Sequence, residues 1–191
     1  MQRVVRTIAP IAFAAALAAP ASAQNFDTPA RNAYVLDLAT NTVLLSKKAE
    51  IPMPPASMSK LMTVYMVFER LKKGSLTLDD TFLVSEKAWK KGGSKMFVKV
   101  GDRVSVSDLL RGIIVQSGND ACIVIAEGLG GTEDAFAEMM TRRAKEMGLT
   151  NTRFANATGW PHPNQLMSAR DLADLSRQLI TQFPGLYKIF N

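Results

Sequence analysis

The pattern of apolar and polar residues changes character along the chain. Residues 33–38 and 42–45 are short β-prone runs separated by residues 39–41, and this arrangement predicts a β-hairpin. From about Ser57 to Lys73 the apolar residues surround the helix axis, which predicts a buried helix that ends at Gly74. Two strands cannot bury themselves, so the hairpin needs further sheet or helices as partners.

Helix signals dominate from about residue 105 to residue 183. Each predicted helix is preceded by a short polar side chain that can accept a hydrogen bond from its first turn. These are Ser107 for a helix over 108–115, Asn119 or Asp120 for one ending near Gly128, Thr132 for one ending before Gly148, and Ser168 in the capping-box pattern Ser168-Ala169-Arg170-Asp171. Residues 87–99 have loop character, which fits either the border of a cleft or a solvated turn.

The first 23 residues are typical of a secretory signal peptide. Arg3 and Arg6 precede a short apolar run, and residues 21–23 form a small-x-small cleavage site. A membrane-spanning helix is the alternative, but Pro10 and Pro20 break the run, which is shorter than the roughly 20 residues that a span needs. We therefore predict that residues 1–23 are a cleaved signal peptide and that the mature chain is exported.

Charge and composition narrow the function further. Removal of Arg3 and Arg6 with the signal peptide leaves 21 basic and 17 acidic residues, a net charge of +4 instead of +6. This mild excess lacks the dense basic clusters of nucleic-acid-binding proteins, so we expect no nucleic-acid partner. Cys122 is the only cysteine and His162 the only histidine, so we expect neither an intrachain disulfide nor a metal site. The apolar neighbours of Cys122 favour a buried, inert thiol over a reactive one.

Ser57 and Lys60 form the leading catalytic hypothesis. A serine hydroxyl needs a base, and His162, between two prolines, is a poor candidate for one. A spacing of three on a helix places two side chains on one face, with Cβ atoms about 5–6 Å apart. The apolar helix and its N-terminus both disfavour an ammonium group, so Lys60 could act as the base. The alternative is that Ser57 only caps the helix and Lys60 is a surface charge.

Ser117-Gly118-Asn119 is the second candidate group, between two predicted helices. The Ser117 hydroxyl could relay a proton between Lys60 and a leaving amine, and the Asn119 side chain could hold a substrate amide. An ordinary turn in which Asn119 is an N-cap is the alternative.

Together these residues resemble the signature of penicillin-binding proteins and serine β-lactamases, in which Ser-x-x-Lys is followed by Ser-x-Asn and Lys-Thr-Gly. More narrowly, the chain resembles the low-molecular-mass D-alanyl-D-alanine carboxypeptidases, peptidase family S11, over its mature length. The resemblance is carried by residues 37–44, 55–63, 93–97, 117–121, 154–160 and 168–172.

The resemblance implies an α/β (α+β) fold of the serine β-lactamase/DD-peptidase type. It implies that Ser57 is the nucleophile, Lys60 its base, and Ser117 and Asn119 the second serine and the asparagine of the site. It further implies a periplasmic enzyme, without metal or organic cofactor, that removes the terminal D-Ala from peptidoglycan stem peptides through an acyl-enzyme. β-Lactam antibiotics would acylate the same serine, and the full-length protein could associate with the inner membrane.

One feature departs from the family pattern, because Lys-Thr-Gly occurs nowhere in the 191 residues. We therefore expect residues 24–191 to form a partial catalytic domain that has a hairpin, a buried nucleophile helix and a mostly helical lobe. The remaining sheet strands, the Lys-Thr-Gly half and a C-terminal β domain are expected to be missing. By itself such a chain would leave its hairpin and buried helix short of packing partners.

Two other functions fit part of the pattern. A class A β-lactamase shares Ser57 and Lys60 but needs a Glu-x-x-Leu-Asn segment, and none follows Asn119. A non-enzymatic cell-wall-binding relative would explain the missing Lys-Thr-Gly.

Overall fold

The computed structural model describes residues 28–190, and the predicted signal peptide over residues 1–23 lies outside the described residues. Helices account for most of the regular secondary structure in the described chain, and the strands form two separate two-stranded sheets. The elements are β1 (Ala33–Asp37), β2 (Thr42–Lys47), a 3₁₀ turn (Ala56–Ser59), α1 (Lys60–Lys72), β3 (Thr81–Leu83), α2 (Glu86–Lys90), β4 (Arg103–Ser105), α3 (Val106–Gln116), α4 (Asn119–Gly130), α5 (Glu133–Glu146), α6 (Ala169–Gln182) and a 3₁₀ turn (Leu186–Phe190).

The N-terminal hairpin is confirmed. β1 and β2 pair antiparallel, with Ala33 opposite Lys47 and a bulge between Val35 and Leu36. Helix α6 packs beside β1. Within residues 28–190 no further strand joins this pair, and Val43 and Leu44 remain 48% and 63% exposed. The hairpin therefore retains the unpaired apolar surface that the sequence predicted.

The predicted buried helix is also confirmed, although it begins later than expected. Residues 62–68 of α1 are each no more than 4% exposed, and Gly74 follows the helix with a left-handed φ of +70°. Regular α-helix starts at Lys60, because Ala56 has a left-handed φ of +49° and residues 56–59 wind as a 3₁₀ turn. Ser57 thus lies on a tight turn at the entrance of the helix.

The helical lobe from α3 to α6 matches the prediction in number and order. Thr132 and Ser168 cap α5 and α6 as expected, each accepting a backbone hydrogen bond from the first turn. The prediction for Ser107 was wrong, because α3 begins two residues earlier and Ser105 accepts the hydrogen bond from Asp108 N at 3.1 Å. Ser105 ends β4 in extended backbone, the conformation that an N-cap requires.

Helix α4 is a second buried helix and is the centre of the lobe. Residues 121–126, which include Cys122, are fully buried, and α4 contacts α1, α2, α3 and α5. The predicted burial of Cys122 is confirmed. Because α1 and α4 both begin beside the same cleft, burial of the two helices fixes the position of the candidate site.

Part of the predicted loop over residues 87–99 is helical, since α2 occupies residues 86–90. The sequence patterns also failed to predict β3 and β4, because three-residue strands are too short to show an alternation. No helix within the described part of the chain has both the length and the apolar character needed to cross a membrane.

An ion pair joins α1 to α5. Arg143 Nε lies 3.0 Å from both carboxylate oxygens of Glu69, and Arg143 Nη2 lies 2.6 Å from Oε1. The Glu69 side chain is 11% exposed and that of Arg143 31%. Hydrogen bonds to Glu69 raise the pKa of Arg143, so the guanidinium stays charged.

We expect Glu69→Gln to lower the free energy of unfolding by about 2 kcal/mol, between the values for exposed and buried pairs, because it leaves the guanidinium without its partner charge. Urea-induced unfolding measures the change. Glu146→Gln is the matched control, since Glu146 also binds Arg143 but is 63% exposed, and it should cost less than about 0.5 kcal/mol. Equal losses in the two variants would contradict a special role for Glu69.

Candidate active site

Ser57 and Lys60 are in contact. Ser57 is exposed on the 3₁₀ turn, whereas Lys60, the first residue of α1, is only 5% exposed. Lys60 Nζ donates to Ser57 Oγ at 2.9 Å and to the backbone carbonyl of Thr158 at 2.7 Å. The N-caps of the turn and of α1 are Pro55 and Ser59, neither with a side-chain cap. The alternative of a capping serine and a surface lysine is therefore wrong.

The surroundings of Lys60 disfavour its ammonium form. Burial lowers the pKa of Lys60, and the positive charge of Lys91 lowers this pKa further, whereas only a charged Cys122 thiolate would raise it. Burial raises the pKa of the Cys122 thiol to about 12, so this thiol is neutral at physiological pH. Lys60 consequently holds a larger fraction of neutral amine at neutral pH than a lysine in water.

Ser117 and Asn119 lie at the junction of α3 and α4. Ser117 ends α3 with a left-handed φ of +55° and lines a cavity together with Ser57 and Lys60. The N-cap of α4 is Gly118, so the interpretation of Asn119 as an N-cap is wrong. Asn119 is the first residue of α4, and its Nδ2 donates to Gly92 O at 2.8 Å.

Two cavities meet at Ser57. One, of about 300 Å³, lies between the 3₁₀ turn, the loop around Gly93 and the segment around Trp160; the other, of about 350 Å³, lies between α1 and α3. Lys60 and Ser117 line the second cavity and Asn119 lines the first. The structure thus brings all four predicted site residues to one cleft around the Ser57 hydroxyl.

The loop over residues 91–97 forms one wall of this cleft. The fully buried carboxylate of Asp120 accepts hydrogen bonds from Met96 N at 3.0 Å and Phe97 N at 2.9 Å, and Asn119 N donates to Ser94 O at 2.8 Å. Of the two interpretations of this loop, the structure supports the border of a cleft.

Residues 155–165, which we call the strap, form the opposite wall and had no assigned role. The strap supplies the Thr158 carbonyl to Lys60, and Trp160 lines the cavity with 44% of its surface exposed. Lys91 Nζ lies 4.4 Å from the centre of the Trp160 ring, so the two walls touch through a cation–π contact. A backbone carbonyl has no signal in residue type, so sequence reasoning could not find it.

Gly159 is where the strap approaches the 3₁₀ turn most closely. Its φ is +81°, and a Cβ at this position would lie 1.9 Å from the carbonyl oxygen of Ala56. Any side chain there would push the strap away from the residue before Ser57.

We expect Gly159→Ala to lower the free energy of unfolding by more than about 3 kcal/mol, because overpacking adds to the left-handed backbone strain. Gly148→Ala is the control, since Gly148 has a φ of +83° and open space around it, and it should cost about 1 kcal/mol. Thermal unfolding of both variants tests the difference. Similar losses would mean that the close approach to Ala56 is unimportant.

His162 also lines the first cavity, where its Nδ1 accepts a hydrogen bond from Asn164 N at 3.1 Å. Among residues 28–190 there is no group of three or more His, Cys, Asp or Glu side chains arranged to hold a metal ion.

Comparison with known proteins gives one consistent family. Residues 18–191 match the family model of the D-alanyl-D-alanine carboxypeptidases, peptidase S11. The chain is 41% identical over 187 residues to the D-alanyl-D-alanine carboxypeptidase DacC of Escherichia coli. The matched region covers 95% of this chain and 46% of that relative.

Solved structures agree with this result. The structure of the D-alanyl-D-alanine carboxypeptidase DacD from Francisella tularensis has a TM-score of 0.85 at 42% identity, covering 87% of this chain and 40% of the other. Penicillin-binding protein 5 from Haemophilus influenzae has a TM-score of 0.79 at 36% identity, covering 86% and 49%. The predicted fold class is confirmed, and the chain spans less than half the length of these relatives. The chain belongs to the D-alanyl-D-alanine carboxypeptidase family, peptidase S11.

Proposed function

We propose that the protein is a serine-type D-Ala-D-Ala carboxypeptidase that removes the terminal D-alanine from peptidoglycan stem peptides. One observation carries the proposal, namely the 2.9 Å contact between Ser57 Oγ, exposed in the cleft, and Lys60 Nζ, buried at the start of α1. A buried amine beside an exposed hydroxyl is the arrangement that activates a serine without an imidazole. The family membership of the chain supports the same chemistry.

In the proposed reaction, neutral Lys60 accepts the proton of the Ser57 hydroxyl while Oγ attacks the carbonyl carbon of the D-Ala-D-Ala peptide bond. The bond to the terminal residue then breaks, the leaving amine takes up a proton, and D-alanine departs. Ser117 relays that proton from Lys60, and Oδ1 of Asn119 orients the substrate amide. Water then hydrolyses the ester at Ser57 and restores the free serine.

A β-lactam would follow the first half of this course. Ser57 opens the lactam ring and forms an ester, but the leaving amine stays attached to the acyl group and cannot diffuse away. A solved relative is named as a penicillin-binding protein, which supports β-lactams as ligands of this cleft. Slow release of the ester distinguishes this behaviour from that of a β-lactamase.

The proposal extends to cell location and domain organisation. Residues 1–23 act as a signal peptide that directs the protein to the periplasm, where the full-length protein associates with the inner membrane. Residues 24–191 contribute part of the catalytic domain, a Lys-Thr-Gly half completes that domain, and a C-terminal β domain adjoins it. No nucleic acid, metal or organic cofactor takes part.

The direct test is to incubate the complete protein with a peptide ending in D-Ala-D-Ala and to measure free D-alanine. A matched peptide ending in L-Ala-L-Ala is the control and should release nothing. Absence of D-alanine release together with absence of penicillin labelling would refute the proposal. Rapid, repeated hydrolysis of penicillin would favour a β-lactamase instead.

A further inference from the structure

The side chain of Asn156 organises the turn of the strap that faces Lys60. Its Oδ1 accepts hydrogen bonds from the backbone N–H groups of Thr158 at 3.1 Å, Gly159 at 2.8 Å and Trp160 at 3.0 Å. The Thr158 hydroxyl adds a fourth at 3.0 Å, and Asn156 Nδ2 donates to Trp160 O at 2.9 Å. One amide side chain thus fixes both the N–H groups and a carbonyl of this turn.

The turn presents the Thr158 carbonyl to Lys60 Nζ at 2.7 Å, in a bond between groups that are both buried. A neutral amine has two N–H bonds and one lone pair. With one N–H bond held by the Thr158 carbonyl, rotation about the Cε–Nζ bond is restricted, and the lone pair can face the Ser57 hydroxyl. The direction of this carbonyl therefore affects how well Lys60 is aimed.

A second amide ties the strap to the turn that carries Ser57. The buried side chain of Gln165 accepts from Ala155 N at 2.7 Å and Asn156 N at 3.1 Å, and its Nε2 donates to Ser59 Oγ at 3.1 Å. Ser59 Oγ in turn donates to Ala56 O at 2.9 Å. One hydrogen-bond network therefore joins the strap to the 3₁₀ turn that carries Ser57.

We infer that Asn156 is a positioning residue for Lys60, acting through the Thr158 carbonyl, and this inference rests on the proposed function. Asn156 touches neither Ser57 Oγ nor Lys60 Nζ through a hydrogen bond within the described chain, so its effect must pass through the strap. The structure gives this asparagine a role in the acylation step that differs from that of Asn119.

The electrostatics of Lys60 provide a readout that a purely structural role would not change. Burial is the largest cause of the lowered pKa of Lys60, the charge of Lys91 lowers it further, and a Cys122 thiolate would raise it. Both residues remain in every variant. A loosened strap admits water, which relieves the desolvation and raises the pKa of Lys60 toward its ordinary value. The acid limb of the pH–rate profile, where the acylation rate rises as Lys60 loses its proton, should then move to higher pH.

The experiment measures the rate of acylation by penicillin as a function of pH in the complete protein, with thermal unfolding measured in parallel. Asn156→Ala should lower the plateau rate by about 10- to 100-fold, as expected for a misplaced catalytic group, and shift the acid limb upward. Asn156→Asp keeps the accepting oxygen and should recover most of the plateau rate. Its added negative charge also raises the pKa of Lys60, so the comparison is made on the plateau. Asn164→Ala, a matched change at an exposed position of the strap, should leave rate and limb unchanged.

Several outcomes would overturn the inference. One is a folded Asn156→Ala protein that is acylated at the same rate as the unaltered protein and with the same acid limb. This result would contradict the inference but not the proposed function. Another is a rate that falls only with the folded fraction, equally at every pH. A third is no recovery in Asn156→Asp. Should Asn156→Ala not fold, Asn156→Ser keeps a weaker acceptor and carries the same expectation with a smaller rate loss. Failure of the unaltered protein to be acylated at all would instead refute the proposed function.

Discussion

Replacement of Ser57 by alanine is expected to abolish covalent labelling of the complete protein by a fluorescent penicillin. The ester can form only on a hydroxyl that is exposed to the cleft and has a base beside it, and Ser57 lies at the meeting point of the two cavities with Lys60 Nζ 2.9 Å away. Labelling is read from a denaturing gel after a fixed incubation.

Ser46→Ala is the matched control for this experiment, because Ser46 is an exposed serine on β2 that lines neither cavity. It should be labelled like the unaltered protein. If the Ser57→Ala protein were labelled at the normal rate, another residue would have to be the nucleophile, and the Ser57 assignment would be wrong.

The second large effect is expected for Lys60→Met, which removes the amine but keeps a side chain of similar length. The acylation rate should fall by about 10²- to 10⁴-fold, the usual contribution of a general base, while Ser57 stays in place. Lys99→Met, at an exposed position, is the control and should acylate normally. A Lys60→Met protein that retains more than a third of the rate would exclude Lys60 as the base.

The same variant tests the lowered pKa of Lys60 through stability. The Lys60 side chain binds its proton less tightly in the folded chain than in the unfolded chain, in which a lysine has a pKa near 10.4. As the pH rises from the lowered pKa of Lys60 toward that value, the unfolded state holds more protons, so Lys60 adds stability with rising pH. The unfolding free energy of the unaltered protein minus that of Lys60→Met should therefore increase with rising pH over this range. A difference independent of pH would contradict the lowered pKa.

Much of the fold follows from local sequence patterns. The hairpin, the buried α1 and the Thr132 and Ser168 caps were predictable because each depends on periodicity or on side chains within a few residues. The Ser57–Lys60 pair belongs to the same class, since a spacing of three suffices to place the two side chains together. Misplaced boundaries, such as Ser107 for Ser105, arose where a strand leads directly into a helix.

Asp171 illustrates where a local motif gives only part of the answer. Ser168 caps α6 as the capping-box pattern predicts, and Asp171 N donates to its hydroxyl at 3.1 Å. The Asp171 carboxylate, however, accepts from Asn151 N at 2.8 Å and from the Thr152 hydroxyl at 2.7 Å, and so anchors the segment before the strap. The carboxylate therefore binds residues that tertiary packing brings to the start of α6, and the capping-box pattern alone does not identify them.

The sequence by itself determined the family pattern and the spacing that places the Lys60 amine beside the Ser57 hydroxyl. Only the tertiary structure decided how that amine is buried and aimed, because its second partner is the carbonyl of Thr158, which lies 98 residues away. The tertiary structure alone also decided the hydrogen bond between Asn119 and Gly92 and the hydrogen-bond network built by Asn156 and Gln165. Every residue carries a backbone carbonyl, so the choice of this one depends on how the strap packs against the start of α1, which no local pattern records.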